Sequence, residues 1–296
     1  MGKPVKLRIV FVLALLAAQF GCISRTRAVP MDQRLLPAET STRAELIRSL
    51  QVKSGQIQTL QGTMSLDVSG GGLTGDEITE YRQTRGVVVI ERPKQILFKV
   101  QAPIVGTTIA TMVSDGQEYR VSVPLKNRFV VGDENIPTRE KTAILNLKPQ
   151  HIVRALFVDV TSYLNDPQVK PLFEEATLGT RRFYVFSFVN IAGQDVRLLE
   201  RLWIDRTQHL QVSRKQIYNQ EGKVEMDVEY LEYRSDNGID FPNGIVIQRP
   251  IEDFTLKMTF TKATVNEKVM ESAFVLERPP GSELVQPKTE AETRQR

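Results

Sequence analysis

The stretch Gly86–Pro124 constrains this chain most. It reads GVVVIERPKQILFKVQAPIVGTTIATMVSDGQEYRVSVP. Segments rich in Val, Ile, Phe and Tyr are separated only by Arg92-Pro93-Lys94, Ala102-Pro103 and Ser114-Asp115-Gly116. Proline removes a ladder donor in the first two gaps, and Asp-Gly in the third is a turn dipeptide. Gaps this short leave no room for the crossover that parallel strands need, so the strands are antiparallel neighbours. Side chains alternate along a strand, which puts Val88, Ile90 and Arg92 on one face, joined past the turn by Ile96, Phe98 and Val100.

The remaining chain extends the pattern. Thr42–Ser54 is expected to be a helix: Thr42 and Glu45 fit a capping box, Leu46, Ile47 and Leu50 form the apolar stripe, and Gly55 is the expected stop. Too short to be stable alone, this helix must lie on an apolar surface. Met64, Leu66 and Val68 alternate with polar neighbours, and Phe129–Val131 is one more short strand. Between Pro137 and Phe157 the character changes. Pro149 suits the first position of a helix with Ile152, Val153, Leu156 and Phe157 as its stripe. Strands resume at Arg181, with a hairpin turn at Asn219–Gly222 and further punctuation at Asp236-Asn237-Gly238 and Pro242-Asn243-Gly244. No stretch alternates strand and helix. The expected fold is mainly β (α+β), a strongly curved antiparallel sheet forming an incomplete barrel with helices covering its opening.

Composition narrows function by exclusion. The 296 residues carry a formal charge of +4 with Lys and Arg scattered, which is no nucleic-acid footprint. His151 and His209 fall in different elements without metal-ligand spacing. No nucleophile elbow, P-loop or dinucleotide-binding glycine pattern is present. Asp115, Asp205 and Asp236 sit at turns, where aspartate serves local hydrogen bonding. The reading is of a protein without catalytic residues, metal or cofactor, and so of a binding module. A large curved sheet offers an inner face whose alternate side chains line an apolar cavity, suited to acyl chains.

The N-terminus specifies the compartment. Lys3, Lys6 and Arg8 precede an apolar run from Ile9 to Phe20, too short to span a membrane comfortably, and Gly21-Cys22 follows. This resembles a bacterial lipoprotein signal, which implies lipidation of Cys22, although Gln19 and Phe20 depart from the usual residues before the cysteine. The expected organisation is a signal peptide at 1–21, a tether at 22–40, one domain at 41–286 and a disordered polar tail at 287–296.

Two further sets of residues carry a resemblance. Arg92-Pro93 closing an apolar strand, then Val113-Ser114-Asp115-Gly116, Tyr119 and Pro124, and downstream Asn266, Phe274-Val275-Leu276, Pro279-Pro280-Gly281 and Val285, together resemble the LolA/LolB-like superfamily of lipoprotein carriers and outer-membrane receptors. The resemblance spans about Thr42 to Val285. It implies a half-barrel binding lipid or lipoprotein acyl chains and assisting lipoprotein sorting or outer-membrane insertion. It implies an outer-membrane, periplasm-facing position through lipidated Cys22, or alternatively a soluble periplasmic one. By the same resemblance Arg92 would hold a lid and Ile96, standing where the carrier has an aromatic residue, would contact lid or lipid. Val88, Ile90, Phe98 and Val100 are candidate cavity lining, or equally core packing against the first helix. The segment 137–157 is the candidate lid, or a helix packed on the sheet without a gating role. The alternative function is a periplasmic protein-interaction or sensor module with a protein partner and no lipid cargo.

Overall fold

The computed structural model describes residues 34–70, 79–136, 148–236 and 238–287. The signal peptide, Cys22, most of the tether, the first part of the candidate lid (137–147) and the tail from 288 lie outside these residues. The chain divides into two compact units, Met1–Leu35 and Leu36–Arg296. Of the first, only Arg34 and Leu35 are described, both exposed. The elements below belong to the second.

Helix α1 (Arg43–Gln56) leads into strands β1 (Thr59–Gly70), β2 (Thr79–Glu91), β3 (Gln95–Gln101), β4 (Thr108–Ser114), β5 (Glu118–Val123) and β6 (Arg128–Asp133). Helices α2 (Pro149–Leu156) and α3 (Thr161–Asn165) follow. The chain then returns to strands: β7 (Val169–Leu178), β8 (Arg181–Ala192), β9 (Asp195–Asp205), β10 (Gln211–Tyr218), β11 (Val224–Asp236), β12 (Ile239–Arg249), β13 (Phe254–Val265) and β14 (Glu283–Val285).

Among the described residues fourteen strands form one sheet, in the order β14-β6-β5-β4-β3-β2-β1-β13-β12-β11-β10-β9-β8-β7. Of these, only β14, which pairs with β6, is parallel to its neighbour. The terminal strands β14 and β7 do not meet, so the antiparallel sheet curves into an incomplete barrel covered by helices, as the sequence predicts. Within the opening stretch Ile90 lies opposite Ile96, Val88 opposite Phe98 and Gly86 opposite Val100. These residues share one face of the pleat.

The first helix begins as expected. The Thr42 side chain accepts from the Glu45 amide and the Glu45 carboxylate accepts from the Thr42 amide at 2.8 Å. Its end differs from expectation. Gly55 lies within the helix and Ile57 beyond it is extended. Side chains satisfy the last carbonyls instead: Asn266 Nδ2 donates to Gln56 O at 2.7 Å, Gln58 Nε2 to Gly55 O at 2.8 Å, and Arg92 to Ser54 O. With those acceptors served, no left-handed glycine is needed.

Three further expectations are corrected. Pro242-Asn243-Gly244 is strand interior, not a turn. Along Ile239–Asn243 the strand β12 pairs only with β11, its β13 ladder starting at Gly244, so proline sits where one edge is bare. Phe274-Val275-Leu276 is not the closing strand: a 3₁₀ turn ends at Phe274, Val275 is exposed, and Glu283–Val285 closes the sheet. Finally, residues 36–40, read as the end of the tether, are tied to the sheet together with Ser41 at the start of the expected domain. Leu36 N donates to Thr180 O at 3.0 Å, Glu39 N to Arg206 O at 2.7 Å and Ser41 N to the Tyr184 hydroxyl at 3.1 Å.

Candidate functional site

The concave face of the sheet is apolar over most of its breadth. Leu60, Met64 and Leu66 from β1, Phe186 and Phe188 from β8, and Leu256 and Met258 from β13 are among its buried side chains. Helices α1, α2 and α3 lie over it. Val88, Ile90, Ile96, Phe98 and Val100 are all at most 2% exposed and belong to this core. Where the sequence suggests an apolar cavity, these side chains pack into the core beneath the helices. A recess of about 70 Å³ remains beside α1 and the end of α2, bordered by Leu50, Ile57, Phe157, Val212, Tyr230 and Phe241. None of the five candidate residues lines it.

Helix α2 covers part of that face. Pro149 takes its first position, where a missing N–H costs nothing. Ile152, Val153, Ala155 and Leu156 are buried beneath it, with Phe157 just after. Polar bonds fix it at both ends. Before its first turn, Lys148 Nζ donates to the carbonyls of Asp133, Glu134 and Ile136 at 3.3, 2.8 and 2.6 Å, and Gln150 Nε2 donates to Lys94 O at 2.8 Å. At the other end the carbonyls that lack a helical partner are served by the sheet. Lys215 Nζ donates to Arg154 O and, at 2.8 Å, to Phe157 O, and the Tyr230 hydroxyl donates to Ala155 O at 2.8 Å. An ammonium at this terminus also meets the negative end of the helix dipole.

Arg92 ties the cover to the first helix. Its guanidinium donates to Ser54 O and to Asp159 Oδ2 at 2.5 Å, and it lies 5.2 Å from the centre of the Phe157 ring. Asp159 Oδ1 in turn accepts from Ser54 Oγ at 2.9 Å and from the Thr161 amide at 2.9 Å. The Arg92 fork therefore bridges α1 and the link between α2 and α3. Ile96 is fully buried between Ile90 and Ser114 in the sheet ladder.

Sequence reasoning missed the buried charges beneath the cover. Lys215 is 2% exposed and Glu200 5% exposed. Glu200 Oε2 accepts from the Tyr163 hydroxyl of α3 at 3.3 Å, while Glu200 Oε1 is buried without a hydrogen-bond partner. Burial holds the Glu200 carboxyl above its ordinary range, against the pull of Lys215 and Arg154. Burial likewise pushes the Lys215 ammonium down to about 8. His151 of α2 is held well below its usual value by burial and by Arg249, Arg154 and Lys148. His209, in contrast, is exposed and meets Glu39 Oε1 at 3.0 Å. The turn aspartates serve local bonds: Asp115 Oδ1 accepts the amides of Gln117 and Glu118, and Asp205 Oδ1 accepts the amide and hydroxyl of Thr207.

No protein-family model matches the chain, and no curated protein matches its sequence. Solved structures do match in three dimensions. A DUF1329 family protein from Desulfovibrio piger superposes with a TM-score of 0.53 at 11% identity, over 78% of this chain and 95% of that one. A LolA superfamily protein from Nitrosomonas europaea superposes with a TM-score of 0.51 at 10% identity, over 80% of this chain and 99% of that one. At such identities the likeness is one of fold, and the fold of this chain is LolA-like.

Proposed function

We propose that this protein takes up an acyl chain of a lipid or lipoprotein on the concave face of its half-barrel, by exchanging it for the α2 cover. The observation that carries this is the mismatch between surface and attachment. A broad apolar face is covered by three helices, of which α2 is held to the sheet by few polar bonds, chiefly those of Lys148, Lys215 and Tyr230, while Arg92 holds the link that follows it. The exchange is close to balanced. Lifting four apolar side chains such as Ile152, Val153, Leu156 and Phe157 costs roughly 1.5–3 kcal/mol each, and a chain of about fifteen methylenes returns ~0.8 kcal/mol per methylene. A balance of that kind permits uptake and release without an energy source. The recess beside Phe157 and Tyr230 is where the seam opens first.

Ile104 and Val105 add support for work at a lipid surface. They are 95% and 76% exposed at the tip of the β3–β4 connection. With Cys22 lipidated, the domain would stand on the outer membrane facing the periplasm and assist lipoprotein sorting or insertion.

A covalent staple tests the exchange. The hydroxyl oxygens of Ser54 in α1 and Thr161 in α3 lie 3.2 Å apart. In a Cys22→Ser chain carrying Ser54→Cys and Thr161→Cys, oxidation should abolish binding of a fluorescent acyl probe, and reduction should restore it. Unchanged binding in the oxidised protein refutes opening of the cover. Native mass spectra of the full chain showing a specific protein partner and no lipid would favour the interaction-module reading instead. For the anchor, Cys22→Ala should release the protein from the membrane fraction.

A further inference from the structure

The buried pair on β9 and β10 points to the head group of the cargo. Among the described residues of the concave face over β8 to β11, Lys215 is the cation buried beneath the cover, and its two acceptors are both backbone carbonyls at the end of α2. When α2 lifts, that ammonium loses both at once. A buried charge stripped of its partners is costly, so whatever displaces the helix must replace two oxygen acceptors. A hydrocarbon tail cannot do this. A single anionic head presenting two oxygens can, and its charge gains from a charge-assisted hydrogen bond in an apolar setting.

We propose that the acyl ligand is a single-chain anionic amphiphile, in the first instance a long-chain carboxylate, whose head takes the places of Arg154 O and Phe157 O on Lys215. The proposal rests on the reading that this face takes an acyl chain, and goes beyond it by naming the head. Glu200 completes the site. Its Oε1 is buried without a partner on the same side of the sheet, and the groups acting on it are Lys215, Arg154, Asp159 and Tyr163. Already held toward its protonated form by burial, Glu200 takes up a proton when a second anion arrives, and the neutral acid then has a hydroxyl to offer the incoming head. Net charge at the site is thereby conserved: ligand anion in, one proton in.

The test compares two probes of equal tail, palmitate and hexadecanol, by calorimetric titration of the full chain. Palmitate should bind at least about tenfold tighter, as one charge-assisted bond implies. Lys215→Met should erase that preference, weakening palmitate and, because no charge is stripped when the helix lifts, strengthening hexadecanol. Titration in two buffers of different ionisation heat should reveal proton uptake with palmitate by the unaltered chain, and Glu200→Gln should remove it. The uptake measurement needs no variant, so a misfolded Lys215→Met cannot rescue the proposal. Equal affinity of the two probes, or no proton uptake, overturns the head-group assignment while leaving acyl binding intact. Failure of both probes to bind removes the acyl reading and this proposal together. An alkyl phosphate of the same length separates the two sources of such a head, the tighter of the two anions being the natural class.

Discussion

The Tyr230 hydroxyl is the cleanest residue at which to test the cover. Its bond to Ala155 O crosses from sheet to helix and is wholly buried. Phenylalanine keeps the ring and strands the carbonyl, which costs about 1–2 kcal/mol. The expected result for Tyr230→Phe is a lowered urea midpoint with unchanged slope, together with faster hydrogen exchange in 152–157. Tyr233 supplies the control. Its hydroxyl donates to Val212 O at 2.8 Å within the sheet, so Tyr233→Phe should lower the midpoint without loosening the cover. Equal exchange in both variants would show that Tyr230 does not hold the helix. Neither hydroxyl's role was legible in the sequence, and the reason for the charges is sharper. β10 reads Gln-Val-Ser-Arg-Lys-Gln-Ile-Tyr, and strict alternation from Val212 would turn Arg214 inward. The register shift between Val212 and Arg214 moves the inward position to Lys215 and sends Arg214 out to Asp227. A bulge leaves little trace in a single sequence, so the buried cation remained hidden.

At the scale of elements, periodic stretches were readable and edges were not. α1, β1, the three strands after it and α2 follow from capping, alternation and proline placement. β7 does not: Val169–Leu178 contains Pro171 and the pair Glu174-Glu175, and the expected strands resume only at Arg181. Those residues are what an edge strand carries. The proline withholds one donor from any incoming chain, and Pro171 O is occupied by Arg43 at 3.0 Å. Pro171→Val should therefore raise the fraction of dimer and higher species in size-exclusion chromatography. A purely monomeric variant would mean that the bend of the edge, not the proline, protects it. Arg92 is the element-scale counterpart in the site. Its planar fork places one nitrogen on Ser54 O and the other on Asp159, two separated donors in fixed geometry where a lysine offers a single nitrogen. Arg92→Lys should speed exchange of the amides in 152–164 by about tenfold, the loss of one charge-assisted bond, while β1 to β3 stay protected.

For the whole molecule, the curved sheet and its helical cover were legible because hairpin spacing leaves few topologies. The filling of the hollow was not, since the volume left under a cover depends on how helices of given length seat on a given curvature. That filling forces ionisable groups into a dry interior, and the pH dependence of stability reports it. His151 is held below its unfolded value of about 6.5, so the unfolded chain binds more protons below that point. Its contribution is present above about pH 6.5 and is lost as pH falls through that value. Glu200 runs the other way. Its folded carboxyl is raised, so the native state keeps a proton that the unfolded state releases. The resulting destabilisation is absent below about pH 4.3 and grows as pH rises. The two oppose each other across the acid range, and a flat profile for the unaltered chain would conceal both. Glu200→Gln separates them. Urea midpoints should match those of the parent near pH 4 and exceed them at pH 7, leaving a variant whose stability falls steadily on acidification as His151 is forced to charge. Parallel profiles for parent and variant would mean that Glu200 ionises normally, with water reaching under the helix, and that the hollow is not dry.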